Sequence, residues 1–221
     1  MIALPRLRMH SVVCIAMLMC FMQTATATDW PTYRGDNARA GGSSESLALP
    51  LTAAWTYTSP APPEMAWASG EGRVMEGKVL GHRVKFDDVF HPVAVAGKLY
   101  FGSTADDQLH CMDLKTGKTE WTFFTGAPVR LAPSVANGKV YFGSDDGRVY
   151  CVDAATGKQQ WQFRAGPEDD WLLARGEMVS RWPVRTGVLV RRVVFEGKRA
   201  VGVEVEAKDG TTSIVRARRE V

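Results

Sequence analysis

The chain has 221 residues and 24.3 kDa, with 45% hydrophobic and 23% charged residues. That is room for one ordinary domain or two small ones, and it argues against a wholly disordered chain. The 27 Lys and Arg against 24 Asp and Glu leave +3, too weak a bias to draw the chain to nucleic acid. Four Cys without a Cys-x-x-Cys pair argue against a thiolate zinc site. Neither a Gly-x-Gly-x-x-Gly nor a Gly-x-x-x-x-Gly-Lys-Ser/Thr run marks a dinucleotide or phosphate loop.

Residues 1–27 read as a secretory leader. Arg6 and Arg8 give a positive start, Ser11 to Met22 is mostly apolar, and Ala25-Thr26-Ala27 is a small-x-small cleavage pattern. The apolar run is too short for a spanning helix, so cleavage is expected after Ala27 with no membrane span left behind. The expected location is exported, periplasmic or extracellular. Cleavage removes Cys14 and Cys20 and leaves Cys111 and Cys151, with 25 basic residues (27 less Arg6 and Arg8) against 24 acidic ones.

Next come Asp29-Trp-Pro-Thr-Tyr-Arg-Gly-Asp36 and an apolar stretch at Ala53-Ala-Trp55-Thr-Tyr. The Gly-rich segment from Trp67 to Val89 reads as an elongated connection.

The middle of the chain repeats itself. Pro92-Val-Ala-Val-Ala-Gly-Lys-Leu-Tyr-Phe-Gly-Ser, ending in Thr116-Gly-Lys-Thr-Glu-Trp121, aligns with Pro133-Ser-Val-Ala-Asn-Gly-Lys-Val-Tyr-Phe-Gly-Ser, ending in Thr156-Gly-Lys-Gln-Gln-Trp161. Tyr100 and Tyr141 stand 41 apart, Trp121 and Trp161 stand 40 apart. Each unit predicts four short strands, near 93–95, 99–103, 109–113 and 120–123 in the first. Gly-bearing turns join them, as in a propeller blade. Gly117 and Gly157 are expected at positive φ, and Asp113 and Asp153 are expected to accept hydrogen bonds from their hairpins. Trp121 and Trp161 are expected in equivalent buried places, with carbohydrate stacking as the alternative use.

Beyond the repeat, Trp171 to Trp182 is an insertion rich in Trp and Arg, and Pro183-Val-Arg-Thr-Gly-Val-Leu-Val190 reads as the first strand of a further blade. The last segment, 191–221, does not continue the repeat. It predicts strands at about 192–196, 199–206 and 211–218, with turns at Glu196-Gly197 and Asp209-Gly210. The tail carries eight basic and five acidic residues, which alternating outward charge on an exposed strand accounts for.

The run Cys-x-Asp-x-x-Thr-Gly-Lys-x-x-Trp, at Cys111–Trp121 and Cys151–Trp161, resembles the blade signature of the quinoprotein-like (PQQ-like repeat) β-propellers. The resemblance covers about 29–190. With the leader at 1–27 set aside, it implies a partial propeller at 28–190 and blade-to-blade docking through the Trp residues. The fold class is all-β: two complete four-stranded blades plus partial blades, then a short β-meander. The superfamily holds pyrroloquinoline-quinone dehydrogenases and cofactor-free exported relatives, among them the propeller lipoprotein of outer-membrane assembly. The tail, Phe195-Glu-Gly-Lys-Arg-Ala-Val-Gly-Val-Glu204 onward, resembles a segment of the glucose-methanol-choline flavin oxidoreductases, with a generic hairpin extension as the alternative.

No residue stands out as catalytic, cofactor-binding or metal-binding. Asp106-Asp107 and Asp145-Asp146 read as solvated turns at the same place in successive repeats, without the further oxygen ligands a calcium ion needs. His82, His91 and His110 have no metal spacing. Cys111 and Cys151 read as small buried hydrophobes, because stacked sheets hold them too far apart to bridge. The expectation is a non-catalytic binding or scaffold segment, truncated or fused, with no cofactor. A quinone-dependent dehydrogenase with pyrroloquinoline quinone and calcium is the alternative, and a flavin oxidoreductase remnant a third. Ligand and protein partners stay open. Two blades and parts of two others cannot close a ring, so self-association through open blade edges is expected.

Overall fold

The computed structural model describes residues 28–47, 49–65, 89–174 and 176–187, together with the backbone of strands at 73–75, 78–80, 192–196, 199–206 and 212–216. Residues 1–27, where a leader is expected, His82 and most of the Trp67–Val89 segment lie outside the described residues. Among the described residues all elements are strands. A hairpin of β1 (Arg73–Met75) and β2 (Lys78–Leu80) comes first. Trp67–Val89 therefore contains a hairpin, where the sequence reading had a plain connection.

The first repeat forms β3 (Val93–Val95), β4 (Lys98–Gly102), β5 (Gln108–Asp113) and β6 (Thr119–Phe124). The second forms β7 (Ser134–Ala136), β8 (Lys139–Gly143), β9 (Arg148–Asp153) and β10 (Gln159–Arg164). Each set is one four-stranded antiparallel sheet in sequence order, the meander of a propeller blade. A hairpin of β11 (Trp171–Ala174) and β12 (Glu177–Ser180) makes up the Trp-rich insertion. The tail forms a three-stranded meander of β13 (Arg192–Glu196), β14 (Arg199–Glu206) and β15 (Thr212–Arg216).

Local chemistry explains the blades. Ala96-Gly97 and Asn137-Gly138 take positive φ at both residues, 51° and 76° in the first pair, 51° and 69° in the second. These are the two-residue hairpin turns whose twist matches that of the flanking strands. Between the third and fourth strands, Asp113 Oδ1 accepts from the Thr116 amide at 2.7 Å and its hydroxyl at 2.7 Å. Asp153 does the same with Thr156 at 2.9 and 2.8 Å. These bonds hold both carboxyls below their ordinary range.

The core lies between the two sheets. Tyr100, Leu109, Cys111, Val140, Phe142, Tyr150 and Val152 form one buried cluster, and Phe123 meets Phe142 and Tyr150 edge-on at 5.8 and 5.5 Å. Cys111 and Cys151 are free and fully buried. Burial pushes both thiols up to about 11.

The blades dock through one repeated contact. The Trp55 indole N–H donates to the Leu114 carbonyl at 2.9 Å, and its ring lies against Gly117. One blade on, Trp121 N–H donates to the Ala154 carbonyl at 3.3 Å with its ring against Gly157. Both glycines have φ of 69°, and a Cβ on Gly157 would sit 2.7 Å from the Trp121 ring. Trp121 and Trp161 are half-buried, not buried as the repeat suggested. They lie on the outermost strand, so one ring face covers a neighbour while the rim stays at the surface. Trp55 takes the docking place on the first blade that Trp121 takes on the second, yet residues 51–58 form no strand, and neither do 183–187, where the sequence reading had a first strand; residues 188–190 lie outside the described set.

At the opposite edge residues 30–32 strap the first strands together. Trp30 exchanges backbone bonds with Ala94, the Pro31 carbonyl accepts from Val135 N–H at 2.8 Å, and Thr32 Oγ1 meets Ser134 Oγ at 2.9 Å.

Gly157→Ala tests the docking contact against Gly138→Ala. Both glycines have φ of 69°, but nothing lies within 4 Å of a Cβ on Gly138. The second change is expected to cost about 1 kcal/mol for the left-handed backbone. The first should cost about 3 kcal/mol, because the indole must also move. Equal midpoints in urea unfolding would remove the docking role.

Candidate functional site

The polar groups of the molecule gather where the turn between β8 and β9 meets the connections on either side of the second blade. These connections follow one path in both repeats. Val129 N–H donates to the Ser103 carbonyl at 3.2 Å, and Val184 N–H donates to the Ser144 carbonyl at 3.0 Å. Each Val is followed by an arginine, Arg130 and Arg185, and both guanidinium groups reach Asp145.

Asp145 is fully buried. Its Oδ2 accepts from Arg130 Nε at 2.6 Å and Arg185 Nη2 at 2.9 Å, and its Oδ1 accepts from Arg185 Nε at 2.8 Å. Arg130 is itself buried and also donates to the Glu64 carbonyl. Asp146 is buried as well. Its Oδ1 takes the Arg148 amide at 2.9 Å, and its Oδ2 takes the Gly126 amide at 3.1 Å and the Tyr150 hydroxyl at 2.5 Å. The sequence reading of Asp145-Asp146 as a solvated turn is therefore wrong. The two carboxylates are interior groups, made tolerable by charge-assisted hydrogen bonds.

The first repeat is not equivalent residue by residue. Asp106 pairs with His110, four residues on, at 3.0 Å, as Asp146 does with Tyr150. Asp107 stands at the place of Gly147: both have positive φ, 55° and 83°, and their carbonyls accept from Thr125 at 2.9 Å and Ala165 at 3.0 Å respectively. Aspartate tolerates that conformation better than most residues. The match of the two acidic pairs was thus off by one position. His110 stacks on Phe101 with centroids 4.9 Å apart, and His91 meets Tyr33 edge-on at 6.1 Å.

Beside this cluster Glu64, Met65, Arg130, Glu177, Val179 and Arg185 line a small cleft between the 62–65 segment, the connection and the β11–β12 hairpin. Burial pushes the Glu177 carboxyl up to about 7, helped by Glu64 and Asp107 nearby. Burial also raises Asp107 to about 6, with Asp106 and Glu64 adding to it and Arg130 opposing. Asp107 Oδ1 is buried without a hydrogen-bond partner. Glu64 and Glu177 line this cleft together, and burial with the neighbouring carboxyls favours the neutral form of Glu177.

Pyrroloquinoline quinone with calcium would need several free carboxylate and amide oxygens converging on the ion. The oxygens of Asp145 and Asp146 are already engaged, and burial raises the carboxyls of Glu177 and Asp107. Among the described residues no three His, Cys, Asp or Glu are placed to hold a metal ion. The described residues of this cluster do not fit the group.

Sequence reasoning missed the Asp145 cluster and the Glu64–Glu177 pair. A signal for the first was in plain sight: Pro128-Val-Arg130 recurs as Pro183-Val-Arg185. Glu64 and Glu177 meet only through the inserted hairpin and carry no pattern.

Residues 53–217 match the family model described as outer membrane protein assembly factor BamB. Comparison with curated proteins gave no match. Among solved structures the chain is similar to quinohemoprotein alcohol dehydrogenase from Comamonas testosteroni, at 26% identity and TM-score 0.45 over 62% of this chain and 19% of that one. It is similar to BamB from Moraxella catarrhalis at 18% identity and TM-score 0.30, over 51% of this chain and 38% of that one. It is similar to quinohemoprotein alcohol dehydrogenase from Pseudomonas putida HK5 at 25% identity and TM-score 0.33, over 35% and 13%. The chain spans well under two thirds of the length of each.

Two outcomes follow from the cluster. Asp145→Asn should cost about 3–5 kcal/mol, because it leaves Arg130 buried beside a neutral group; urea unfolding measures it. The pH dependence has a defined sign. Glu177 is raised from 4.5 to about 7, so the folded state favours its neutral form. Its contribution is complete below its unfolded pKa and is lost as pH rises through about 7. Glu177→Gln should flatten the decline in stability between those limits.

Proposed function

Because the chain belongs to the family of the outer membrane protein assembly factor BamB, built of PQQ-like repeats, we propose that it is an exported, non-catalytic segment acting as a binding or scaffold surface. One observation carries this reading: both oxygens of the buried Asp145 are taken by Arg130 and Arg185. The carboxylate best placed by burial for chemistry is thereby committed to holding two connections together. A carboxylate so paired is neither a general base nor a cation ligand. Arg6, Arg8 and the small residues at 25–27 support export.

The surface itself lies on the Trp171–Trp182 insertion. Leu173 is 70% exposed, Met178 53% and Trp182 46%, so the β11–β12 hairpin offers apolar side chains to a partner. The Trp67–Val89 segment is the second candidate for recognition.

Titration of the mature chain with pyrroloquinoline quinone and calcium, followed by quinone absorbance and calorimetry, tests the proposal. No saturable uptake and no dye-linked oxidation of alcohols or sugars are expected. Stoichiometric binding with turnover of any alcohol would install the dehydrogenase reading instead.

A further inference from the structure

The segment Asp29-Trp-Pro-Thr-Tyr-Arg-Gly-Asp36 belongs to neither repeat, and the structure lays it on both. β3 and β7 are the first strands of their sheets, at the edge opposite the indoles. One side of each is paired with β4 or β8. The other side presents main-chain groups that need partners. Ala94 and Val135 stand at the same place in the two repeats, and both send their amides outward to this segment. Trp30 exchanges both backbone bonds with Ala94, at 2.6 and 3.0 Å, and the Pro31 carbonyl accepts from Val135 at 2.8 Å. Side chains fix the register. Asp29 Oδ1 accepts from the Ala96 amide at 2.9 Å, and Thr32 Oγ1 meets Ser134 Oγ at 2.9 Å.

This arm is separable from the blades. None of residues 28–47 is buried, so the arm adds nothing to the core and its contacts belong to the low-stability end of the molecule. Beyond Thr32 its turns close on themselves. The Thr32 carbonyl accepts from Gly35 at 3.0 Å, the Arg34 carbonyl from Gly41 at 2.9 Å, and Asp36 Oδ1 from Ala40 at 3.0 Å. The Trp30 ring folds back over Gly35, where a Cβ would lie 3.1 Å from it. The arm thus keeps its shape by its own bonds and holds the blades by main-chain bonds and the side chains of Asp29 and Thr32. That is the arrangement of strand addition, in which main-chain bonds supply affinity and side chains supply specificity.

We propose that the free edges of β3 and β7 form a peptide-acceptor surface, with residues 29–32 as its resident occupant and an extended peptide of the pattern acid, aromatic, proline, hydroxyl as its partner. The acid takes the Ala96 amide, and the aromatic residue supplies the two bonds to Ala94. The proline offers its carbonyl to Val135 and has no N–H of its own to satisfy. The hydroxyl meets Ser134. The arm keeps the surface closed until such a peptide displaces it. The surface is separate from the β11–β12 hairpin and needs neither Leu173 nor Trp182.

Amide exchange read by NMR on the full chain, with a synthetic peptide of residues 28–41 as the probe, tests this. Trp30→Ala should speed exchange at Ala94, Ala96 and Val135 by at least about tenfold while β5 and β9 hold. Added peptide should bind this variant saturably and restore protection at all three amides. It should bind the unaltered chain at least about tenfold more weakly, because the arm competes from within. A control peptide with alanine in place of Asp29 and Trp30 should restore nothing. Failure of the native peptide to restore protection overturns the proposal, as does equal rescue by the control. Protection in the unaltered chain that grows with protein concentration also overturns it, because the occupant is then the arm of a second copy. If Trp30→Ala unfolds β5 and β9 as well, Asp29→Ala, which removes one exposed bond, takes its place, with the peptide rescue at Ala96 deciding.

Discussion

The contact on which the molecule depends is a flat indole laid on a hairpin that has no side chain. A four-stranded sheet of this size cannot bury its own faces and is marginal by itself. The indole of one blade covers the turn of the next, donates its proton to a carbonyl there, and leaves no room for a Cβ on Gly117 or Gly157. The same glycine is needed for its positive φ. Two independent demands, backbone and space, therefore fall on one residue. Tyr100 adds to the contact by donating to the Ala154 carbonyl that Trp121 also uses. The docking is thus polar as well as apolar, and its orientation is set by directed bonds.

Asp145 does for the opposite end of the blades what the indoles do for the outer strands. A carboxylate with no solvent contact is costly unless its charge is met in full. Arg130 and Arg185 meet it from two successive connections, so the ion cluster ties three pieces of chain that are distant in sequence. Such a cluster contributes more to uniqueness than to net stability, because an apolar set of the same volume could pack as well. The β11–β12 hairpin closes over it through Ser180 N–H, which donates to the Asp145 carbonyl at 2.8 Å. The exposed Leu173 and Met178 are therefore carried on an element anchored to a buried charge.

The blades were legible from the sequence because their strands obey local rules. Gly-bearing turns, alternating large residues and a period near 40 specify β3–β10 to within a residue or two of the observed bounds. The hairpin carboxylates Asp113 and Asp153 were legible for the same reason: their partners are three residues away. Burial at Asp145 was not. Nothing within a turn tells a solvated acid from one covered by arginines 15 residues before it and 40 after it. The half-burial of Trp121 was missed because repetition reveals that a residue serves the repeat, not which of its faces meets water. The strands of the tail were expected at nearly their observed positions.

The two ends of a blade are under different constraints. At the hairpin between the third and fourth strands, every feature is used by the neighbouring blade, so the acid, the threonine and the glycine recur together at Asp113-Thr116-Gly117 and Asp153-Thr156-Gly157. At the turn between the second and third strands, the first blade spends Asp106 on His110 and lets Asp107 adopt a glycine-like backbone. The second places Asp145 between two arginines. The backbone bonds are common to both: those from Val129 and Val184, from Ser103 and Ser144, and from Thr125 and Ala165. Side chains at this end differ between the blades while these backbone bonds hold. Groups of unusual protonation, Glu177 and Asp107, gather there and not at the hairpins. A molecule built this way can change its polar end without disturbing the indole contacts that hold the blades together.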